Sequence, residues 1–99
     1  MLCITFYSYG YNINLHPCDI HFNVASMGAV FGRCNNKIVS RIIREIYLFK
    51  KCTPQDSYIV GIQCLNGLHR SVEISNELCA YFKKYFITNV IHLSTNHVS

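Results

Sequence analysis

The pattern of apolar and polar positions divides the chain into strand-like and helix-like segments. Residues 2 to 9 alternate and are rich in β-branched and aromatic side chains, which predicts a strand that ends near Gly10. A second alternating segment covers residues 19 to 24. Residues 57 to 63 are nearly all apolar, as expected for a central parallel strand that is covered on both faces. A fourth strand is predicted over residues 89 to 93.

Helical spacing of apolar residues occurs in two places. Between residues 38 and 49 the apolar positions recur every three or four residues, and Asn35 or Asn36 is suited to cap the helix that they predict. That helix is expected to stop before Pro54. A second helix with a broad apolar face follows the third strand and extends to Phe86.

The remaining segments are predicted to be connections. Residues 11 to 18 form a loop, residues 25 to 36 form an irregular connection able to lie over a site, and residues 94 to 99 form a polar tail. Strands that alternate with helices predict an α/β fold. We expect a small two-layer or three-layer sandwich with a mostly parallel four-stranded sheet and two main helices, in one domain over residues 1 to 99.

Composition narrows the class of protein. Half of the chain is apolar and 14% is charged, which is typical of a folded globular domain. No apolar run approaches the roughly 20 residues needed to span a bilayer, and the N-terminus lacks the features of a signal peptide. The sequence therefore predicts a cytoplasmic protein with no membrane partner. The 7 Tyr and 6 Phe in so small a domain favour a homo-oligomer.

The six cysteines are interpreted as reduced and mostly buried thiols, because no C-x-x-C pair and no export signal accompany them. The five histidines have no ligand spacing with one another or with a cysteine pair. We therefore expect neither a metal nor a cofactor. The net charge of +4 is compatible with an anionic ligand or with RNA.

The most informative segment runs from Gln63 to Val72 and reads Gln-Cys-Leu-Asn-Gly-Leu-His-Arg-Ser-Val. It joins the third strand to the second helix, and the unpaired N–H groups and dipole of a helix N-terminus favour an anion there. Gly67 allows the backbone to approach an oxyanion, Arg70 supplies a guanidinium that matches phosphate, and Ser71 is expected to cap the helix. The segment predicts a phosphate or carboxylate ligand.

Ten residues are predicted to bind this ligand. Eight belong to the turn, and two lie at the ends of the first and fourth strands, which should reach the same edge of the sheet. They are Cys64, Leu65, Asn66, Gly67, Leu68, His69, Arg70, Ser71, Ser8 and His92.

The spacing Cys64-x5-Arg70-Ser71, with Gly67 three residues after the cysteine, resembles the phosphate-binding loop of cysteine-dependent tyrosine and dual-specificity phosphatases. This resemblance implies that Arg70 and the loop amides hold the phosphate. It also implies that Cys64 attacks as a thiolate and that Ser71 assists its departure.

Two features depart from the phosphatase pattern. Gln63 stands where most of those enzymes have histidine, and neither Asp19 nor Asp56 lies in a recognisable general-acid loop. A structural role for Cys64 at a tight strand end is therefore favoured over a nucleophilic one.

Residues 62 to 72 are also similar to the Ile-Gly-Cys-Thr-Gly-Gly-Gln-His-Arg-Ser-Val signature of the C-terminal domain of RapZ, the RNase adapter family. In this comparison His69 is matched as well as Arg70 and Ser71. Residues 5 to 10 resemble that domain's opening Ser-Phe-Gly-Phe-Lys segment. The resemblance implies a domain that binds an amino-sugar phosphate, contacts small RNA and self-associates.

Two further segments agree with the RapZ domain. Residues 21 to 24 resemble its Val-Phe-Asp-Val strand, and the late strand bearing His92 resembles its closing His-Arg strand. The chain departs from the family at Asn23 and Ala25, where the family has Asp and Arg. The 99 residues contain no counterpart of the family's nucleotide-binding N-terminal half.

Three functions are compatible with the sequence. The leading one is a stand-alone binding module for a phosphorylated small molecule, either a sugar phosphate or a signalling nucleotide, that acts by sensing or sequestration. Such a module would suit a phage or mobile element. The alternatives are a cysteine-dependent phosphatase that uses Cys64 and Arg70, and a small-RNA-binding adapter fragment. The RNA surface would combine lysines with tyrosines, namely Lys50, Lys51, Lys83, Lys84, Tyr81 and Tyr85.

Overall fold

The computed structural model describes residues 2–13, 18–31, 35–65 and 69–94. In chain order its elements are β1 (Cys3–Tyr9), β2 (Ile20–Asn23), α1 (Val24–Phe31), α2 (Asn35–Cys52), β3 (Ser57–Gln63), α3 (Arg70–Phe82) and β4 (Ile87–His92). The predicted α/β class and the four strands are confirmed. The helix predicted from residues 38 to 49 is also confirmed as α2, and it ends before Pro54 as expected.

All four strands are parallel and lie in the order β2-β3-β1-β4. Within this register, Ser8 of β1 is paired with Ile62 of β3 and with His92 of β4. Asn23, the last residue of β2, is paired with Gln63, the last residue of β3. The carboxyl ends of the strands therefore form one edge of the sheet, where ligands bind in open parallel sheets.

The three described helices contact one another and cover the same face of the sheet, which makes a two-layer sandwich. Alternate residues of β1, namely Ile4, Phe6 and Ser8, point into this layer and are fully buried. The ring centroid of Phe6 lies 5.9 Å from that of Phe82 on α3. One apolar core fills the space between sheet and helices: Ile4, Phe6, Val24, Ile38, Ile42, Ile46, Val60, Ile62, Cys64, Ile74, Leu78 and Phe82.

The opposite face of the sheet carries none of the described helices, so within one chain these helices cover β3 on one face rather than on both as predicted. Ile59 of β3 and Ile87 of β4 are 37% and 48% exposed. This face is better protected at Tyr9, the last residue of β1. Tyr9 is buried, and its ring centroid lies 6.0 Å from that of His21 on β2. Burial, followed by the proximity of Cys18, raises the pKa of Tyr9 to about 12.

The irregular connection predicted from residue 25 was wrong, because residues 24 to 31 form the helix α1. The side-chain Oδ1 of Asn23 accepts a hydrogen bond from the backbone N–H of Ser26 at 3.1 Å and caps this helix. Val24 was predicted to end a strand but begins α1, and it is fully buried. The sequence hid this helix because it is short and contains Gly28, which lowers helix propensity.

Two boundaries at the other end of the molecule also differ from the prediction. Helix α3 ends at Phe82 rather than Phe86, because the N–H groups of Tyr85 and Phe86 both donate to the carbonyl of Phe82 and close a turn. Strand β4 begins at Ile87, whose N–H donates to the carbonyl of Leu2.

The cysteines are less buried than predicted. No disulfide links any two of the five that are described, but only Cys64 is buried. Cys52 is exposed, because it ends α2 at the surface, and Cys3, Cys18 and Cys79 are partly exposed. No described helix is both long and apolar enough to cross a membrane.

Candidate functional site

A pocket of about 300 Å³ opens at the carboxyl edge of the sheet. Its described lining comes from the end of β3, from the start of α3 and from the first turn of α1: Cys64, Leu65, His69, Arg70 and Ala25. Two helix N-termini, rather than the one predicted, therefore flank the pocket. Each places partial positive charge and outward N–H groups near the opening, so the pocket suits an anion.

Cys64 forms the inner wall of the pocket and is 6% exposed. Its backbone N–H donates to the carbonyl of Tyr9 at 3.1 Å, which continues the pairing of β3 with β1. Its thiol donates to Oγ of Ser71 at 3.2 Å. Leu65, the next residue, is 65% exposed, and its carbonyl accepts from the N–H of Tyr11 at 3.3 Å.

The expectation that Ser71 caps α3 was wrong. The helix begins at Arg70, and the residue at the N-cap position is His69, whose side chain makes no capping hydrogen bond. Ser71 lies within the first turn, is fully buried, and turns its hydroxyl toward Cys64. The buried contact between Ser71 and Cys64 therefore holds the first turn of α3. His69, by contrast, is exposed and lines the pocket.

Arg70 is partly buried, and its guanidinium lies directly against Gly28 of α1. A Cβ built on Gly28 would lie 3.1 Å from Cζ and 3.3 Å from Nη2 of Arg70, and closer still to Nη1. The guanidinium therefore occupies a slot beside α1, at the wall of the pocket. The sequence prediction of the site missed both Ala25, which lines the pocket, and Gly28, which contacts Arg70. A glycine inside a helix is unfavourable, so Gly28 would have been a signal had α1 been predicted.

The structure places the other predicted site residues as follows. Asn66, Gly67 and Leu68 lie outside the described residues. Ser8 and His92 are brought together, because Oγ of Ser8 hydrogen-bonds Nδ1 of His92, but neither lines the pocket in the described part of the chain. Ser8 is fully buried rather than placed at the rim.

His92 bridges three elements of the fold. In the tautomer that satisfies both contacts, Ser8 donates to Nδ1, and Nε2–H donates to Oδ1 of Asn76 on α3 at 3.0 Å. Burial lowers the pKa of His92, which favours the neutral ring. The imidazole therefore ties β4 to β1 and α3. Sequence analysis did not identify Asn76.

The predicted basic and aromatic residues gather at the opposite end of the molecule. Nζ of Lys50 lies 4.1 Å from the ring centroid of Phe86 and 5.3 Å from that of Tyr47. Burial, followed by a hydrogen bond with Tyr81, raises the pKa of Tyr47 to about 12, so this ring stays neutral beside the lysines. Tyr85 is 62% exposed, and its ring contacts those of Tyr81 and Phe86.

A larger recess of about 440 Å³ is lined by Phe22, Met27, Arg41 and Glu45. Its two charged side chains pair with each other at 3.1 Å, so they offer no net charge to a ligand. No three His, Cys, Asp or Glu side chains of the described residues form a metal-binding group. The smaller pocket beside Arg70 is the stronger candidate.

Neither aspartate of the chain is at this pocket. Asp19 precedes β2 and Asp56 precedes β3, so both lie at the amino edge of the sheet. Oδ2 of Asp19 accepts from the backbone N–H of Ile59 at 2.7 Å, which gives it a structural role. The site therefore contains a cysteine, a serine and an arginine without an aspartic acid to protonate a leaving group.

A scan of protein-family models and a search of curated protein sequences both give no match to this chain. The similarities to RapZ and to the phosphatases thus rest on the residue patterns quoted above. The site must be interpreted from its own geometry and charge.

Proposed function

We propose that this chain is a binding module for a phosphorylated small molecule, a sugar phosphate or a signalling nucleotide, that acts in the cytoplasm by sensing or sequestration. The observation that carries the proposal is the pocket where the N-termini of α1 and α3 meet beside Arg70. Helix N-termini and a guanidinium both favour a phosphate. A volume of about 300 Å³ is at the lower end of the range for small-ligand pockets.

The proposal is tested by thermal shift and calorimetry with matched pairs of ligands. Glucosamine 6-phosphate and ADP-ribose should raise the melting temperature, because a ligand that binds only the folded state stabilises it. Glucosamine and adenosine at the same concentration should not. An equal shift with glucosamine and its phosphate, or a shift with RNA alone, would overturn the proposal.

Phosphatase activity is a second candidate, favoured by the 3.2 Å contact between Cys64 and Ser71. In that reaction the thiolate forms a bond to phosphorus while the ester oxygen leaves and takes a proton. Because both aspartates lie at the far edge of the sheet, the described site lacks the usual donor of that proton. Hydrolysis of an aryl phosphate by the parent but not by Cys64→Ser would establish the enzyme; no turnover by either supports the binder.

We further propose that a second copy of the chain covers the open face of the sheet. Parallel sheets are almost always covered on both faces. By strand alternation none of the strand residues on this face is a Lys, Arg, Asp or Glu, although the chain has a net charge of +4. Two copies would repel least here. Among the strand residues of this face, Ile59, Ile87 and Asn89 are exposed, and Cys3, Thr5, Tyr7 and Ile91 are partly exposed.

Light scattering after gel filtration tests this interface. The parent should be a dimer, and Ile59→Lys should be a folded monomer, because it places a charge on the shared face. Leu48→Lys is the matched control, since Leu48 is an exposed apolar residue in the helical layer, at 49%. A monomeric parent, or equal dissociation by both variants, would contradict the proposed interface.

A further inference from the structure

Gly28 occupies a position in α1 where glycine has a cost. A glycine inside a helix is less favourable than alanine, because its more flexible backbone loses more conformational entropy on folding. No local turn requires it, since residues 24 to 31 are continuous helix. The geometry provides another reason, because the space that a Cβ would fill is occupied by the guanidinium of Arg70.

We propose that Gly28 is a positioning residue of the anion pocket: its missing Cβ opens the slot in which α1 holds the Arg70 guanidinium toward the bound phosphate. This inference rests on the proposed function. It gives α1 a part in ligand selectivity, because the surface of α1 at Gly28 determines the position of the Arg70 guanidinium.

The neighbouring small residue supports this role. Ala25 lies three residues before Gly28, so both occupy the same side of α1, and Ala25 lines the pocket. One side of the helix thus presents two small residues to the site. The first widens the pocket, and the second accommodates the guanidinium. Larger side chains at either position would fill the space that the phosphate and Arg70 require.

The test separates ligand binding from stability. Gly28→Ala should keep or raise the melting temperature, because alanine favours the helix and the atoms that must yield are the flexible end of Arg70. The same variant should bind pyrophosphate roughly fivefold or more weakly, since displacing the guanidinium removes part of a charge-assisted contact. A merely structural glycine would show the reverse: lower stability with unchanged affinity.

A double-mutant cycle with Arg70→Ala supplies the control. Once the guanidinium is removed, Gly28→Ala should cause no further loss of pyrophosphate affinity. If Arg70→Ala weakens binding and Gly28→Ala does not, the positioning role is wrong and the proposed anion site stands. If Arg70→Ala binds as tightly as the parent, the proposed function itself is wrong.

Folding of the variants provides a further check. Should Gly28→Ala fail to fold because the guanidinium cannot move aside, the double variant Gly28→Ala/Arg70→Ala should fold, since it has no clash. Circular dichroism would record that rescue. A double variant that also fails to fold would show that the Cβ collides with something other than Arg70, and would overturn the inference.

Discussion

At the amino ends of the strands, aromatic rings pack around Phe82, whereas at the carboxyl ends short polar contacts join Ser8, Cys64 and their neighbours. The ring of Phe82 lies 5.6 Å from Tyr47, 5.0 Å from Tyr81 and 6.1 Å from Phe86. Burial of such rings contributes stability in proportion to apolar area. Hydrogen bonds contribute less stability but fix direction, which a ligand site requires.

The distribution of charge sharpens this contrast. At the aromatic end Lys50 is placed over two rings, and Lys83 and Lys84 line a recess of about 340 Å³ that no described helix N-terminus borders. The polar end has one arginine in a pocket with two helix N-termini. The two helix N-termini beside Arg70, rather than the number of positive side chains, distinguish the candidate site.

The largest effect should come from breaking the aromatic end. Phe82→Ala is expected to lower the free energy of unfolding by about 3 to 5 kcal/mol, because Phe82 is fully buried at the centre of the cluster. Urea denaturation followed by circular dichroism measures this loss. A loss of less than roughly 1 kcal/mol would show that the cluster contributes little to stability.

Removing the charge at the polar end should affect binding instead. Arg70→Ala is expected to weaken phosphate-ligand binding by about 1.5 to 3 kcal/mol, which is roughly tenfold to 150-fold. Its melting temperature should stay near that of the parent. Calorimetry with glucosamine 6-phosphate gives the affinity, and Lys83→Ala serves as a control that removes one positive charge at the other end. Equal weakening by both variants would mean that only net charge matters.

A smaller effect is expected from Tyr58, a buried tyrosine whose hydroxyl binds the loop between α2 and β3. The hydroxyl of Tyr58 donates to the carbonyl of Thr53 at 2.7 Å and accepts from the N–H of Gln55 at 2.8 Å. Tyr58→Phe removes both bonds and should lower the free energy of unfolding by about 1 to 3 kcal/mol. Thermal and urea unfolding should agree on this value. No change would indicate that water replaces the hydroxyl at no cost.

The smallest expected effect is a dependence on pH at the polar end. Because burial lowers the pKa of His92 from 6.5, the folded state binds fewer protons than the unfolded state. The stability associated with the neutral ring is present above pH 6.5 and is lost as the pH falls through the lower, folded pKa. His92→Gln should remove this component. Urea unfolding of both proteins from pH 7.5 to pH 4.5 tests it, and parallel profiles would contradict it.

The regular elements were predictable where the local pattern was long. The period of apolar residues identified α2, and the uniform apolar run identified β3, because burial imposes one side-chain period over many residues. In contrast, α1 has eight residues and an internal glycine, so its local signal was weak. Its cap at Asn23 and its packing on the sheet decide its conformation.

The candidate site shows the same division. The sequence by itself determined where β3 gives way to α3 and that Arg70 lies at this junction, since strand, glycine, arginine and helix follow one another within a few residues. The anion-binding role of the turn stays a proposal. Only the tertiary structure brought Gly28 against Arg70, 42 positions away in the numbering, and joined Ser8 to His92, 84 positions apart. It also placed the three helices of the described residues on a single face of the sheet. These outcomes depend on which strands pair and where helices cross, and contacts between distant residues have no periodic signal in the chain.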